Sequence, residues 1–288
     1  MTSLADKTEI LIQALPYIQQ YERTTFVIKY GGAAMVDDDL KETFAQDVTL
    51  LRKIGIRMVV VHGGGRDITK LAAKIGLESR FVNGQRYTDE AMMGVVQMVL
   101  GGKTNQDIVA RINRHDGCAV GLSGVDNGLF LVRRQGDAGS GGGEGPDLGL
   151  VGEVTRVNTA FLEALFANDV LPVIAPIGVD ERGRIHNINA DVAAGSLAAA
   201  LRAEKLVYLS DVPGVLVDGV LLPSVDRVRA VELVETGVVG SGMLPKLRSA
   251  FGALDAGVGK VHIIDGRVKH SLLLEIFTKE GVGTEVVH

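Results

Sequence analysis

The run Val59-Val60-Val61-His62-Gly63-Gly64-Gly65-Arg66-Asp67-Ile68 decides how the chain is read. Three β-branched residues predict a buried strand, and the glycines after them open directly onto a helical pattern. Bare backbone where a strand ends and a helix begins lets main-chain amides meet an anion. Two common phosphate motifs do not explain it. The dinucleotide fingerprint GxGxxG fails at Ile68. The nearest P-loop tail, Gly102-Lys103-Thr104, has Gln97 where the first glycine belongs and sits on a helical pattern.

On either side of this run, short apolar segments alternate with helix-length amphipathic ones. Strands are predicted at 25–30, 57–62, 117–122, 129–134, 170–178, 205–212 and 260–265. Helices are predicted at 38–53, 66–76, 159–168, 190–203 and 244–257. This order builds βαβ units, hence an α/β fold with helices on both faces of a mainly parallel sheet, a three-layer αβα sandwich. Residues 4–21 precede the first strand and carry an apolar stripe of Leu4, Ile10, Leu11, Ala14, Leu15 and Ile18. They are expected to form a helix, kinked at Pro16, that packs on another subunit or on the far end of this one. The glycine-rich stretch 136–149 reads as a surface loop.

Composition narrows the function. The chain has 288 residues, 46% hydrophobic and 23% charged, as expected of a soluble globular protein. A net charge of −5 argues against nucleic acid as partner. The N-terminus has no signal-peptide pattern, and no run approaches the ~20 apolar residues that span a bilayer. A cytoplasmic protein without membrane contact is expected. The single cysteine, Cys118, excludes an internal disulfide and a multi-cysteine metal site; its flanks predict a buried strand.

In open α/β sheets ligands bind where strands end, so the residues there are the candidates. The first strand ends in Lys29-Tyr30-Gly31-Gly32, with a lysine inside an apolar run. Asn83-Gly84-Gln85-Arg86 reads as a turn that delivers an arginine able to clamp a carboxylate. Asn187, Asn189 and Asp191 alternate just before an Ala-rich helix, where Asp191 could equally be a helix cap. Ser210-Asp211-Val212-Pro213-Gly214 follows a buried strand. Gly240-Ser241-Gly242-Met243-Leu244-Pro245-Lys246 places a second lysine in the first turn of a helix.

Taken together, KYGGAAM, VVVHGGG, NGQRYTDE, MVLGGKTN, NINAD, LSDVPGVL and GMLPK resemble the N-acetylglutamate kinases of the amino acid kinase family, in order and approximate spacing over residues 24–287. The resemblance implies the amino acid kinase fold in two lobes, 23–178 for acetylglutamate binding and dimerisation and 179–288 for ATP, with 1–22 as an oligomerisation and regulatory helix. It implies phosphoryl transfer from ATP to the side-chain carboxylate of N-acetyl-L-glutamate. Lys29, Lys246 and Asp191 are then catalytic. Gly64, Gly65, Arg86, Asn187 and Asn189 bind substrate, and Gly31, Gly32, Asp211, Val212, Pro213, Gly214 and Met243 bind phosphate or nucleotide. No carboxylate cluster suggests a dedicated metal cage, so Mg²⁺ is expected on the ATP phosphates.

The N-terminal helix and the C-terminal stretch HIIDGRVKHSLLLEIFTKEGVGT resemble the arginine-sensitive branch. That implies feedback inhibition by L-arginine, a homohexamer built as a trimer of dimers, and an effector site drawn from Tyr17, His270, Glu275, Gly281 and Gly283. A sister kinase for glutamate or carbamate, and a catalytically silent arginine sensor, are the alternatives.

Overall fold

The structure, a computed structural model, describes residues 4–136, 146–239, 243–278 and 281–288, with the side chains of 4–7 left aside. Its frame is an eight-stranded sheet. In spatial order the strands are Ser224–Val225, Gly283–Val286, Lys260–Asp265, Lys205–Ser210, Thr25–Tyr30, Arg57–His62, Leu171–Ala175 and Ala119–Ser123. Every neighbouring pair is parallel except Lys260–Asp265 with Gly283–Val286. The central strands are mainly apolar because both faces are covered. Phe26, Val27, Ile28, Val59, Val60, Val61, Leu206 and Val207 are all fully buried.

Two cores flank this sheet. On one face the helix Ala190–Leu201 and the helix Leu244–Asp255 enclose Val27, Val59, Val61, Leu197 and Tyr208. On the other, the helix Asp38–Lys53 and the helix Asn105–Arg114 enclose Ile28, Val60, Phe44, Val48 and Ile112. Alternate residues of each strand supply the two cores, as the pleat requires. The three-layer expectation holds.

Parallel pairing brings the strand ends that matter to one edge. Lys29 lies opposite Val61 and Tyr208, and Tyr30 lies opposite His62. A second sheet of four strands, Ile185–Asn187, Ile177–Val179, Phe130–Arg134 and Gly152–Val157, carries Asn187 towards that edge. The predicted strand 170–178 is in fact two strands in different sheets, split at Pro176. Proline has no N–H to continue a ladder, and the chain changes sheets there.

The expectation for Cys118 changes. Cys118 is exposed and has φ of 51°, so it belongs to the turn before the strand Ala119–Ser123 and not to a buried strand. The expected N-terminal helix spans Leu4–Tyr21, with Pro16 inside it. Most of the glycine-rich stretch, 137–145, lies outside the described residues, as do Gly240, Ser241 and Gly242.

Candidate active site

The two lysines meet on one carboxylate. Lys29 Nζ lies 3.1 Å from Asp191 Oδ1, and Lys246 Nζ lies 3.0 Å from Asp191 Oδ2. The Lys246 contact is a hydrogen bond, whereas the Lys29 contact is an ion pair by distance without good hydrogen-bond angles. Asp191 is only 6% exposed. Burial alone would raise its pKa, but the two ammonium groups outweigh it and hold the carboxyl below its ordinary value.

Local structure fixes this arrangement. The cap of the helix Ala190–Leu201 is Asn189, whose side-chain oxygen accepts from the N–H of Asp191 at 2.8 Å and of Val192 at 3.3 Å. Capping by Asn189 leaves the Asp191 carboxylate for the lysines. Ser249 Oγ donates to the Asp191 carbonyl at 2.7 Å and accepts from Tyr208 Oη at 2.8 Å. Ser249 is one turn beyond Lys246, so this pair locks the lysine's helix to the aspartate's helix.

On one side of the lysines is a cavity of about 430 Å³, lined by Gly32, Asp211, Val212, Gly214, Met243 and both ammonium-bearing side chains. Pro213 shapes its loop without lining it. The Asp211 carboxylate accepts from the Ala33 N–H and lies 3.3 Å from Arg66. A smaller cavity, about 160 Å³, is lined by Gly63, Gly64, Gly65, Arg86, Asn187 and Asn189 and reaches Ala190, next to Asp191.

Arg86 reaches this smaller cavity from a hairpin, Phe81–Val82 paired with Gln85–Arg86 through Asn83-Gly84. Its Nη1 donates to Ser79 Oγ at 2.6 Å, and Nη2 donates to Gly65 O at 2.9 Å and Thr69 Oγ1 at 2.8 Å. Three of the five guanidinium N–H groups are used in holding the fork, and two remain for a ligand. Asn187 Nδ2 is steadied by Thr88 Oγ1 at 3.3 Å. Ser79, Thr69, Thr88 and Ser249 were not among the sequence candidates. Their hydroxyls are anonymous in a sequence, because each acts through a tertiary contact.

The three glycines differ. A Cβ on Gly64 would come within 2.5 Å of Leu100 Cδ2, so any side chain there would have to displace the packed leucine. On Gly63 or Gly65 it would meet no protein atom nearer than 3.8 Å. Side chains at those two positions would crowd the smaller cavity.

A third cluster lies away from the lysines. Glu275, 5% exposed, has Lys205 Nζ at 3.3 Å and His262 Nε2 at 3.0 Å from Oε1, and its Oε2 accepts from the Val282 N–H at 3.1 Å. Tyr17 stacks edge-on against Phe277, with ring centroids 6.3 Å apart. Gly281 sits beside the Glu275 carboxylate, and Gly283 starts the adjoining strand. His270, at the start of the same helix, pairs with Asp47 at 2.6 Å. Lys205 and His262 were missed because both sit inside strands that read as ordinary buried runs.

Residues 24–265 match the amino acid kinase family, and the chain belongs to it. It is 54% identical over 280 residues to the acetylglutamate kinase of Chlorobium chlorochromatii, covering 97% of this chain and 96% of that one. It is 50% identical over 296 residues to the acetylglutamate kinase of Aquifex aeolicus, covering 99% of both. Among solved structures, the N-acetylglutamate synthase of Neisseria gonorrhoeae complexed with coenzyme A and N-acetyl-glutamate superposes with a TM-score of 0.86 at 30% identity. This chain is covered completely but spans 64% of that synthase. The same synthase complexed with coenzyme A and L-arginine gives a TM-score of 0.82 at 28% identity, covering 99% of this chain and 66% of that one.

Proposed function

We infer that this chain transfers the γ-phosphoryl group of ATP to the side-chain carboxylate of N-acetyl-L-glutamate, within arginine biosynthesis. The observation that carries the reading is the Lys29–Asp191–Lys246 bridge, whose lysines line the cavity bounded by Asp211, Val212 and Gly214, while the cavity of Arg86 and Asn187 reaches Ala190 next to Asp191. The carboxylate oxygen attacks the γ-phosphorus, the bond to the β–γ bridging oxygen breaks, and ADP leaves. The nucleophile is already ionised at neutral pH, so no general base is needed. The obstacle is an anion approaching a polyphosphate, which two ammonium groups and the glycine amides offset.

In this reading Lys29 and Lys246 stabilise the transferring group, and Asp191 keeps both lysines in place. Arg86 and Asn187 hold the α-carboxylate and acetamido group, and Asn189 lines the same cavity while capping its helix. Gly31, Gly32, Gly64 and Gly65 offer amides. Asp211, Val212, Gly214 and Met243 border the nucleotide, with Pro213 fixing the loop. Among the described residues no three or more His, Cys, Asp or Glu side chains group as metal ligands. The single carboxylate in the larger cavity, Asp211, fits Mg²⁺ carried mainly by the ATP phosphates.

Regulation is proposed at the third cluster. A guanidinium ligand wants carboxylates and carbonyls, and Glu275 beside Gly281, with Tyr17 packed on Phe277 in the same helix, offers such a setting. L-arginine binding there, on a cytoplasmic hexamer joined through residues 1–22, fits the exposed apolar face of the first helix. Residues 23–178 and 179–288 then act as two lobes.

The test is ADP release with ATP, Mg²⁺ and N-acetyl-L-glutamate, trapping the acyl phosphate with hydroxylamine, with and without arginine. Turnover lowered by arginine supports both halves. Turnover indifferent to arginine removes the regulatory half, and turnover on glutamate or carbamate instead would overturn the substrate assignment.

A further inference from the structure

His62 ends the central strand, is fully buried, and takes no part in the chemistry above. Its ring is held at both nitrogens. Nδ1 is 2.7 Å from the carbonyl oxygen of Gly63, and Nε2 is 3.1 Å from Asn105 Nδ2. Asn105 is 3% exposed, and its Nδ2 also faces Val173 O at 2.9 Å and Leu122 O at 3.3 Å. Two main-chain carbonyls on that atom leave it no alternative but to be the NH₂ end. The Gly63 carbonyl can only accept, so the ring proton sits on Nδ1, and Nε2 turns its lone pair to the Asn105 NH₂, whose two hydrogens are shared among three acceptors. Nδ1–H then donates to Gly63 O.

We propose that His62 and Asn105 are positioning residues that aim the Gly64 N–H into the smaller cavity. The inference rests on the assignment of that cavity to N-acetyl-L-glutamate. In a trans peptide the C=O and the following N–H point in opposite directions. Fixing the Gly63 carbonyl from below therefore fixes the Gly64 amide plane from above. A donor on the carbonyl also polarises the peptide and strengthens its N–H as a donor. Among the described residues no acceptor is paired with the Gly64 N–H.

The surroundings are built for this relay. Asn105 follows a π-helical segment, Gln97–Thr104, whose Leu100 packs beneath Gly64. Such segments cluster at functional sites because the extra residue re-aims side chains. Gly121 leaves space for Asn105, since a Cβ there would collide with its side-chain oxygen. Burial pushes the His62 pKa down to about 4, so the ring stays neutral and keeps one tautomer at neutral pH.

The tests separate this role from simple packing. With ¹⁵N-labelled histidine, the wild-type His62 ring is expected in the Nδ1–H tautomer and not to titrate between pH 5.5 and 8. An Nε2–H tautomer would overturn the proposal without any variant being made. His62→Leu leaves Asn105 its two carbonyl acceptors, so the fold is expected to survive, as circular dichroism will read. It is expected to lower kcat/KM for N-acetyl-L-glutamate about tenfold or more, while the KM for ATP stays within about twofold. His62→Asn, whose amide can occupy the Nδ1 position, is expected to recover part of that loss. Asn105→Asp, which replaces the donor by an acceptor, is expected to drive the ring to Nε2–H and reproduce the His62→Leu kinetics. Equal losses for both substrates, or no loss in folded His62→Leu, would overturn the role. Wild-type turnover on N-acetyl-L-glutamate is measured first, so a wrong substrate assignment shows separately.

Discussion

Lys246 Nζ and Asp191 Oδ2 are 3.0 Å apart, and the other oxygen of that carboxylate holds Lys29 at 3.1 Å. One buried anion thus restrains two cations that come from distant parts of the chain. Lys246→Ala is expected to lower kcat by about 100-fold or more, the usual loss on removing one charge stabiliser from a preorganised site. Steady-state kinetics check it, and an unchanged kcat would remove Lys246 from the mechanism. Because the Asp191 pKa is depressed, its contribution to stability is present above its ordinary value of 3.8 and is lost as pH falls below that. No acid limb from Asp191 is expected in the rate between about pH 5 and 8.

Arg86 is clamped by Ser79, Thr69 and the Gly65 carbonyl before any ligand arrives. Lysine has one compact ammonium with three donors and cannot hold these three contacts and still offer N–H groups to a carboxylate. Arg86→Lys is therefore expected to raise the KM for N-acetyl-L-glutamate by about tenfold or more and leave that for ATP nearly unchanged. Initial-rate measurements with each substrate varied decide it. A rise confined to the ATP KM would mean that Arg86 serves the nucleotide.

Much of this was legible in the sequence, for a physical reason. Strands buried on both faces write themselves as apolar runs, so 25–30, 57–62 and 260–265 were read to the residue. Lysines and glycines at the ends of such runs stand out because burial there is costly or bare backbone is needed. What stayed hidden depends on contacts between distant segments. Asn189 looked like a ligand residue and is also the helix cap, a choice set by the turn before Ala190. His270, an effector-site candidate from the resemblance, has its ring on Asp47, a partner 223 residues away that no local pattern announces. Lys205 and His262 face Glu275 only because strand register puts them there.

The Asp47–His270 contact gives a pH prediction. Burial raises the Asp47 pKa from 3.8 to about 6, only partly offset by the hydrogen bond from His270. The folded state therefore holds a proton that the unfolded chain has released between those values. The stabilisation is complete below about pH 3.8 and is lost as pH rises through about 6, a difference of about 3 kcal/mol at most. Asp47→Asn cannot lose a proton, so its stability relative to wild type should rise across that window. Urea unfolding of both proteins at pH 4.5 and pH 7 measures the difference, and a constant gap would contradict the shift.

Glu275 joins Lys205, His262 and the Val282 amide, and neither Lys29 nor Lys246 is among its partners. Glu275→Gln keeps the shape and removes the charge a guanidinium would need. It is expected to weaken inhibition by arginine at least about tenfold with kcat nearly unchanged, because a charged hydrogen bond is replaced by a neutral one. Dose–response curves for arginine test it. A fall in kcat with inhibition intact would make the cluster part of the lobe's structure alone.

The first helix turns Ile10, Leu11 and Ile12 outward at 58%, 72% and 59% exposure. At its other end Tyr21 is buried against Phe26, with ring centroids 5.1 Å apart. Deleting residues 1–22 would remove the exposed face and this anchor together. The double substitution Leu11→Asp and Leu15→Asp spares the anchor, since both side chains are exposed. An apolar stripe of this size is ordinarily covered by a partner. If another copy covers it, both changes are expected to convert a hexamer into dimers in light scattering, with catalysis retained. A hexamer that survives both would place its contacts elsewhere and leave the helix as a cap on its own subunit.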